Sequence, residues 1–192
     1  MFEVEALERA LQSLGAVLES RGFSYEVLVV GGSSLLLLGV TTCPTADLDV
    51  VGLADGGIYR SADPLPGPLA DAVADVGLAL ELAPNWLNAG PASLMDFGLP
   101  EGLEERVTIR RYDGLAIHLA GRLDLICIKL YPAVDQGPRS KHFGDLQDLA
   151  PTRDELLFAA RWTLTHDTSS GYRGELLKML AVLGLEGNDA DL

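Results

Sequence analysis

Basic residues are scarce in this chain of 192 residues: 14 Lys and Arg stand against 28 Asp and Glu, a formal charge of −14. A surface of that sign repels phosphate backbones over a long range, which argues against a broad nucleic-acid-binding face. A small anion held by a metal or by a local basic cluster stays compatible with it. Cysteine is scarcer still. Cys43 and Cys127 lie far apart and in no C-x-x-C pair. Neither a disulfide framework nor a zinc knuckle is indicated, and two free thiols in a reducing compartment is the simpler reading. A basic leader is also missing, because Glu3, Glu5 and Glu8 occupy the place of a signal peptide's n-region. No apolar run nears the ~18 residues of a membrane helix. The longest, Ser34-Leu35-Leu36-Leu37-Leu38, follows two glycines. A cytoplasmic protein with no membrane partner is expected. The three histidines, His118, His142 and His166, show no metal-ligand spacing and read as packing or surface residues. Trp86 and Trp162 read as packing residues, and Ser33 lacks the setting of a nucleophile elbow.

What is present suits a packed core. Apolar residues make up 48% of the chain, enough for one domain or one domain with a helical extension. Val4, Leu7, Leu11, Leu14 and Leu18 recur at helical spacing, which predicts an amphipathic helix over 3–21 ending at Arg21-Gly22. Glu26 to Val30 is β-branched and reads as a buried strand. Gly31-Gly32 turn the chain, and Ser33 or Ser34 is placed to cap a short helix through Leu38. Ala46 to Val51 alternates acidic and apolar residues and reads as a strand. Residues 52–66, rich in Gly, Asp and Pro, read as a loop. Leu69 to Leu80 is helical, and 94–104 irregular. Arg106 to Tyr112 and Leu115 to Leu119 form a hairpin across Asp113-Gly114. Helices follow over 121–133, 142–149, 154–164 and 172–183, with Thr152 as a cap, and the acidic tail 186–192 is expected to fray. The order predicts an α/β (α+β) fold: a small mixed sheet flanked by helices over 1–120, and a C-terminal helical portion over 121–192 packed on it.

Residues 30–51 carry the chemistry. A buried strand running into Gly31-Gly32-Ser33 leaves backbone N–H groups exposed, and glycine lets a phosphate come close. Alone, such a turn is more often only a turn. Asp47-Leu48-Asp49 follows. Alternate residues of a strand share a face, so both carboxylates project together. Like charges that close cost free energy unless a cation lies between them. An oxygen-rich pair suits Mg²⁺ or Mn²⁺, which also binds triphosphate oxygens. The plain alternative is a strand whose polar face meets water. The order of glycine turn, short helix and Thr-x-Asp-x-Asp strand favours a site.

Gly31-Gly32-Ser33 with Thr45-Ala46-Asp47-Leu48-Asp49 resembles the nucleotidyltransferase superfamily. The resemblance implies that the glycine turn holds nucleotide phosphates and that Asp47 and Asp49 bind the metal. The rest of the chain, to about residue 150, is similar to nucleotidyltransferase-like proteins related to the AbiEii toxin group. The matching features are Asn85-Trp86-Leu87-Asn88, Lys129 after Leu123 to Ile128, then Arg139 and Lys141, then Asp145-Leu146-Gln147-Asp148-Leu149. Lys129 follows apolar residues, where an unpaired ammonium is costly, and Asp145 or Asp148 is its available counter-charge. That pair reads either as an internal tie between helices or as a triphosphate contact with Arg139 and Lys141 nearby. Two positions depart from the pattern. Neither late strand carries a third carboxylate in its body, and Cys43 stands where relatives often have arginine.

The resemblance implies transfer of a nucleoside monophosphate from an NTP to an unknown hydroxyl acceptor, with Mg²⁺ or Mn²⁺ as cofactor. It also implies a toxin–antitoxin or defence setting and a cognate partner protein. In that reading Asp47, Asp49 and Lys129 are catalytic, while Gly31, Gly32, Ser33, Thr45, Arg139, Lys141, Asp145 and Asp148 bind the nucleotide. The rival is a catalytically degenerate nucleotide- or protein-binding module on the same fold, which the two departures favour. A third reading is a purely structural protein whose Asp47 and Asp49 face water.

Overall fold

The structure is a computed structural model, and it describes residues 1–185. The expected frayed tail, 186–192, lies outside the described residues. Two compact units divide the chain, Met1–Ala120 and Gly121 onward.

The first unit is built on a six-stranded mixed sheet. It contains helix α1 (Val4–Ser20), strand β1 (Tyr25–Val30), helix α2 (Gly31–Leu37), strands β2 (Leu48–Asp55) and β3 (Ile58–Ser61), and helix α3 (Gly67–Ala79). Strand β4 (Leu87–Asn88), a 3-10 turn (Gly90–Ser93), helices α4 (Leu94–Phe97) and α5 (Leu103–Arg106), and the hairpin β5 (Thr108–Tyr112) and β6 (Leu115–Leu119) complete it. Strand order is β3-β2-β1-β6-β5, with β4 also paired to β2. β1 pairs antiparallel with β2 and parallel with β6, and β2 pairs parallel with β4.

The alternation of β1, β2 and β6 assigns the two faces. Val27, Val29, Leu48, Val50, Ile117 and Leu119 share one apolar cluster with Leu7, Leu11, Leu14 and Leu18 of α1 and with Leu69, Val73 and Val76 of α3. Each fully buried Leu or Val there contributes about 1.5–3 kcal/mol. Trp86 closes that core as expected: it is fully buried, and its Nε1 donates to the Val73 carbonyl at 3.0 Å. The residues between these, among them Glu26, Leu28, Val30, Asp49 and His118, stand on the second face.

Three local expectations need correction. β2 begins at Leu48, so Asp47 lies just ahead of it, between the strand and an isolated bridge that pairs Thr45 with Phe2. Residues 52–66 are not one loop. β2 runs on to Asp55 and returns as β3, because Gly56 and Gly57, with φ of +60° and +86°, form a two-residue hairpin turn that composition alone disguised as loop. Neither serine caps α2. That helix starts at Gly31, and the hydroxyls of Ser33 and Ser34, both fully buried, donate back to the carbonyls of Val30 (3.2 Å) and Val29 (2.8 Å).

The second unit is helical: α6 (Arg122–Gln136), α7 (Lys141–Leu149), α8 (Arg153–His166) and α9 (Ser170–Val182). α6 outlasts its expected end and contains Pro132. Ser140, Thr152 and Ser169 cap α7, α8 and α9. At α8 the Thr152 hydroxyl accepts from the Glu155 N–H (3.3 Å) while Glu155 accepts from the Thr152 N–H (2.8 Å), a reciprocal capping box. Glu155 also takes a hydrogen bond from Arg122 at 2.8 Å, and this contact, chiefly, holds its carboxyl below the usual range.

Candidate functional site

In the first unit the sheet register brings the glycine turn and the acidic strand together. Val30, the last residue of β1, pairs with Asp49. The next residue, Gly31, has φ of +80°, a left-handed conformation that suits glycine. A Cβ on Gly31 would collide with Asp49 Oδ2, so any larger residue here would force the carboxylate to shift. The neighbouring pair repeats the contact more loosely, since a Cβ on Gly32 would lie 3.2 Å from Thr45 Oγ1. Thr45 is buried, and its hydroxyl donates to the Asp47 carbonyl at 3.1 Å, which fixes the chain just before β2. Asp47 and Asp49 are both half-buried.

On its other side β2 meets β4, and Asp49 pairs with Asn88. The Asn88 amide donates to Asp49 Oδ1 at 3.3 Å, and its own carbonyl oxygen accepts from the Gly90 N–H at 2.8 Å. Sequence reasoning noted the Asn85 to Asn88 segment without giving it a task. Its task follows from strand pairing, which sets Asn88 beside Asp49. Ser33 lies in the same turn, but its hydroxyl faces inward onto Val30.

In the second unit Lys129 of α6 is 5% exposed and ion-paired with Asp145 of α7. Asp148 is exposed one turn further along α7, and Arg139 and Lys141 are exposed at the α6–α7 connection. His142 belongs to this cluster, contrary to its expected isolation. Burial, with the charges of Lys129 and Lys141 behind it, holds its pKa below the ordinary histidine value, while Asp145 opposes the shift. Its Nδ1 is buried without a hydrogen-bond partner among the described residues. His118 is not isolated either: it bonds to Tyr59 and to Glu26.

Among the described residues no group of three or more His, Cys, Asp or Glu side chains is placed to hold a metal by itself. No helix there is long and apolar enough to cross a membrane.

A mixed sheet whose glycine turn abuts an acidic strand is the arrangement of a nucleotidyltransferase-type protein. The chain belongs to a family described as nucleotidyltransferases of unknown function (DUF6036), whose model matches residues 5–140. No curated protein and no solved structure matches it.

Proposed function

We propose that the first unit binds the phosphates of an NTP at Gly31-Gly32 with a divalent cation at Asp47 and Asp49, and that the protein transfers a nucleoside monophosphate to a hydroxyl acceptor. One observation carries this reading: Asp49 Oδ2 lies against Gly31 where a side chain would have to be, so the carboxylate and the glycine turn share one spot. The donor set supports Mg²⁺ or Mn²⁺, since both ligands are carboxylate oxygens and such ions commonly take only one or two carboxylates and fill the shell with phosphate and water. When bound, the ion offsets charge developing on the phosphates. The chain's own residues do the rest. Asn88 orients Asp49, Thr45 fixes Asp47, and the glycine turn lets phosphate oxygens approach backbone N–H groups. The acceptor oxygen attacks the α-phosphorus in line and pyrophosphate leaves.

In the second unit we propose an anion-binding cluster of its own: Lys129 as the cation, Asp145 orienting its ammonium, and Arg139, Lys141 and Asp148 assisting. We also propose a toxin–antitoxin or defence setting with a cognate partner, on the resemblance of the sequence motifs to AbiEii-related proteins.

The second reading, a binding module without turnover, is favoured by β5 and β6, neither of which contains a carboxylate, and by the neutral Asn88 beside Asp49. The test is calorimetric titration of each NTP, with Mg²⁺ or Mn²⁺, into wild type and the Asp47→Asn/Asp49→Asn double variant. Metal-dependent binding that the variant loses is expected. A folded wild-type protein that binds no NTP overturns the reading.

A further inference from the structure

A chain of hydrogen bonds crosses the second face of the sheet. Tyr59 on edge strand β3 reaches over Gly52, whose position has Tyr59 Cβ 3.5 Å from where its own Cβ would be. Tyr59 Oη lies 2.8 Å from His118 Nδ1 on β6, and His118 Nε2 lies 3.0 Å from Glu26 Oε2 on β1. A carboxylate only accepts, so Nε2 carries the hydrogen and donates to Glu26. Nδ1 of the neutral ring is then bare and accepts the Tyr59 O–H. The order hydroxyl, imidazole, carboxylate is that of an activated nucleophile with an oriented base. His118 is 7% exposed and Tyr59 is half-buried, so the base is sheltered. Arg111 also contacts Glu26, at 3.3 Å.

The relay shares its face with Asp49. His118 pairs with Leu28, two residues before Val30, the partner of Asp49. One pleat repeat, about 7 Å along the strands, separates the two rows. In the proposed function, phosphates at Gly31 and Asp49 bring the nucleotide to this same face of the sheet.

We propose that Tyr59 is itself an acceptor, so that the protein nucleotidylylates its own tyrosine. This rests on the nucleotidyltransferase reading above. Tyr59 Oη bonds to the α-phosphorus of the NTP as the bond from that phosphorus to the bridging oxygen breaks, and pyrophosphate departs. The phenolic proton passes to His118 Nδ1, and Glu26 holds the resulting imidazolium. The product is a tyrosyl nucleoside-monophosphate diester.

The experiment incubates the full chain with ATP, CTP, GTP or UTP and Mg²⁺ or Mn²⁺, then reads intact mass and maps the modified peptide. Calorimetry of the same NTPs runs in parallel. One added nucleoside monophosphate on Tyr59 is expected, absent in Tyr59→Phe and formed at least ~100-fold more slowly in His118→Gln. Metal-dependent NTP binding with an unmodified chain, or with the label on another residue, overturns the proposal and leaves the nucleotide site standing. No NTP binding overturns both. Unchanged labelling in folded His118→Gln overturns the relay. Mapping of the wild-type chain decides the acceptor even if a variant misfolds.

Discussion

Asp49 Oδ2 occupies the space that a side chain on Gly31 would need, so the identity of one residue sets the position of the other. Gly31→Ala meets both this collision and a left-handed backbone. It is expected to destabilise the fold by about 1–3 kcal/mol in urea unfolding. Asp49→Ala removes the obstacle, so the double variant should lose less than the sum of the two single changes. Strict additivity would refute the contact.

Asn88 offers a gain-of-function test. Asn88→Asp sets a third carboxylate beside Asp49, where like charges repel unless a cation intervenes. Its melting temperature without metal should fall below wild type, and Mn²⁺ should raise it by more than it raises wild type. Equal shifts in the two proteins would argue against a cation at Asp49.

The Lys129–Asp145 pair is unequal in exposure, at 6% and 25% of the two side chains. Asp145→Asn strands a buried ammonium and should cost about 3 kcal/mol or more. Lys129→Met leaves a carboxylate that still reaches water, and it should cost about 1 kcal/mol. Denaturant melts of both variants decide, and the reverse order would refute the burial argument.

Acid should weaken the protein in two separate windows. Burial holds His142 and His166 below the ordinary histidine pKa of 6.5, so the unfolded chain takes up protons first. Stability from these two is full above about pH 6.5 and lost as pH falls through their folded values. The depressed carboxyl of Glu155 contributes above its unfolded value, near 4.5, and loses that contribution further down. Melting temperature measured from pH 8 to 4 should decline first below about 6.5. In His142→Gln/His166→Gln that first decline should vanish, and its persistence would refute the assignment.

Much of the fold was readable because its cores follow simple periods. α1 announced itself through Val4, Leu7, Leu11, Leu14 and Leu18, and β6 through its apolar run after Asp113-Gly114. The hairpin of β2 and β3 was not legible, since Asp55-Gly56-Gly57 signals a turn equally well inside a loop and between strands. Asp49 and Gly31 were legible as chemistry, but their contact comes from strand register, which no local spacing states. Asn88 and Tyr59 escaped for the same reason: each acts on a residue of another strand, so its role exists only after pairing. His118 looked inert because its partners, Tyr59 and Glu26, are remote in sequence and bear no ligand-like spacing.

The parallel pairing of β1 with β6 has a consequence for synthesis. Everything from Gly31 to Gly114 leaves the ribosome between the two strands, whereas β2 and β3 follow β1 directly. The growing chain can therefore zip β1, β2 and β3 and set Asp49 against Gly31 while the far edge of β1 still lacks its neighbour. During that interval the apolar stretch Val27 to Val30 presents an open edge, the kind on which unrelated strands aggregate. Expression yield should thus hinge on how quickly the closing hairpin arrives, and truncations ending before Leu115 should aggregate even though every residue around Gly31 and Asp49 is already made.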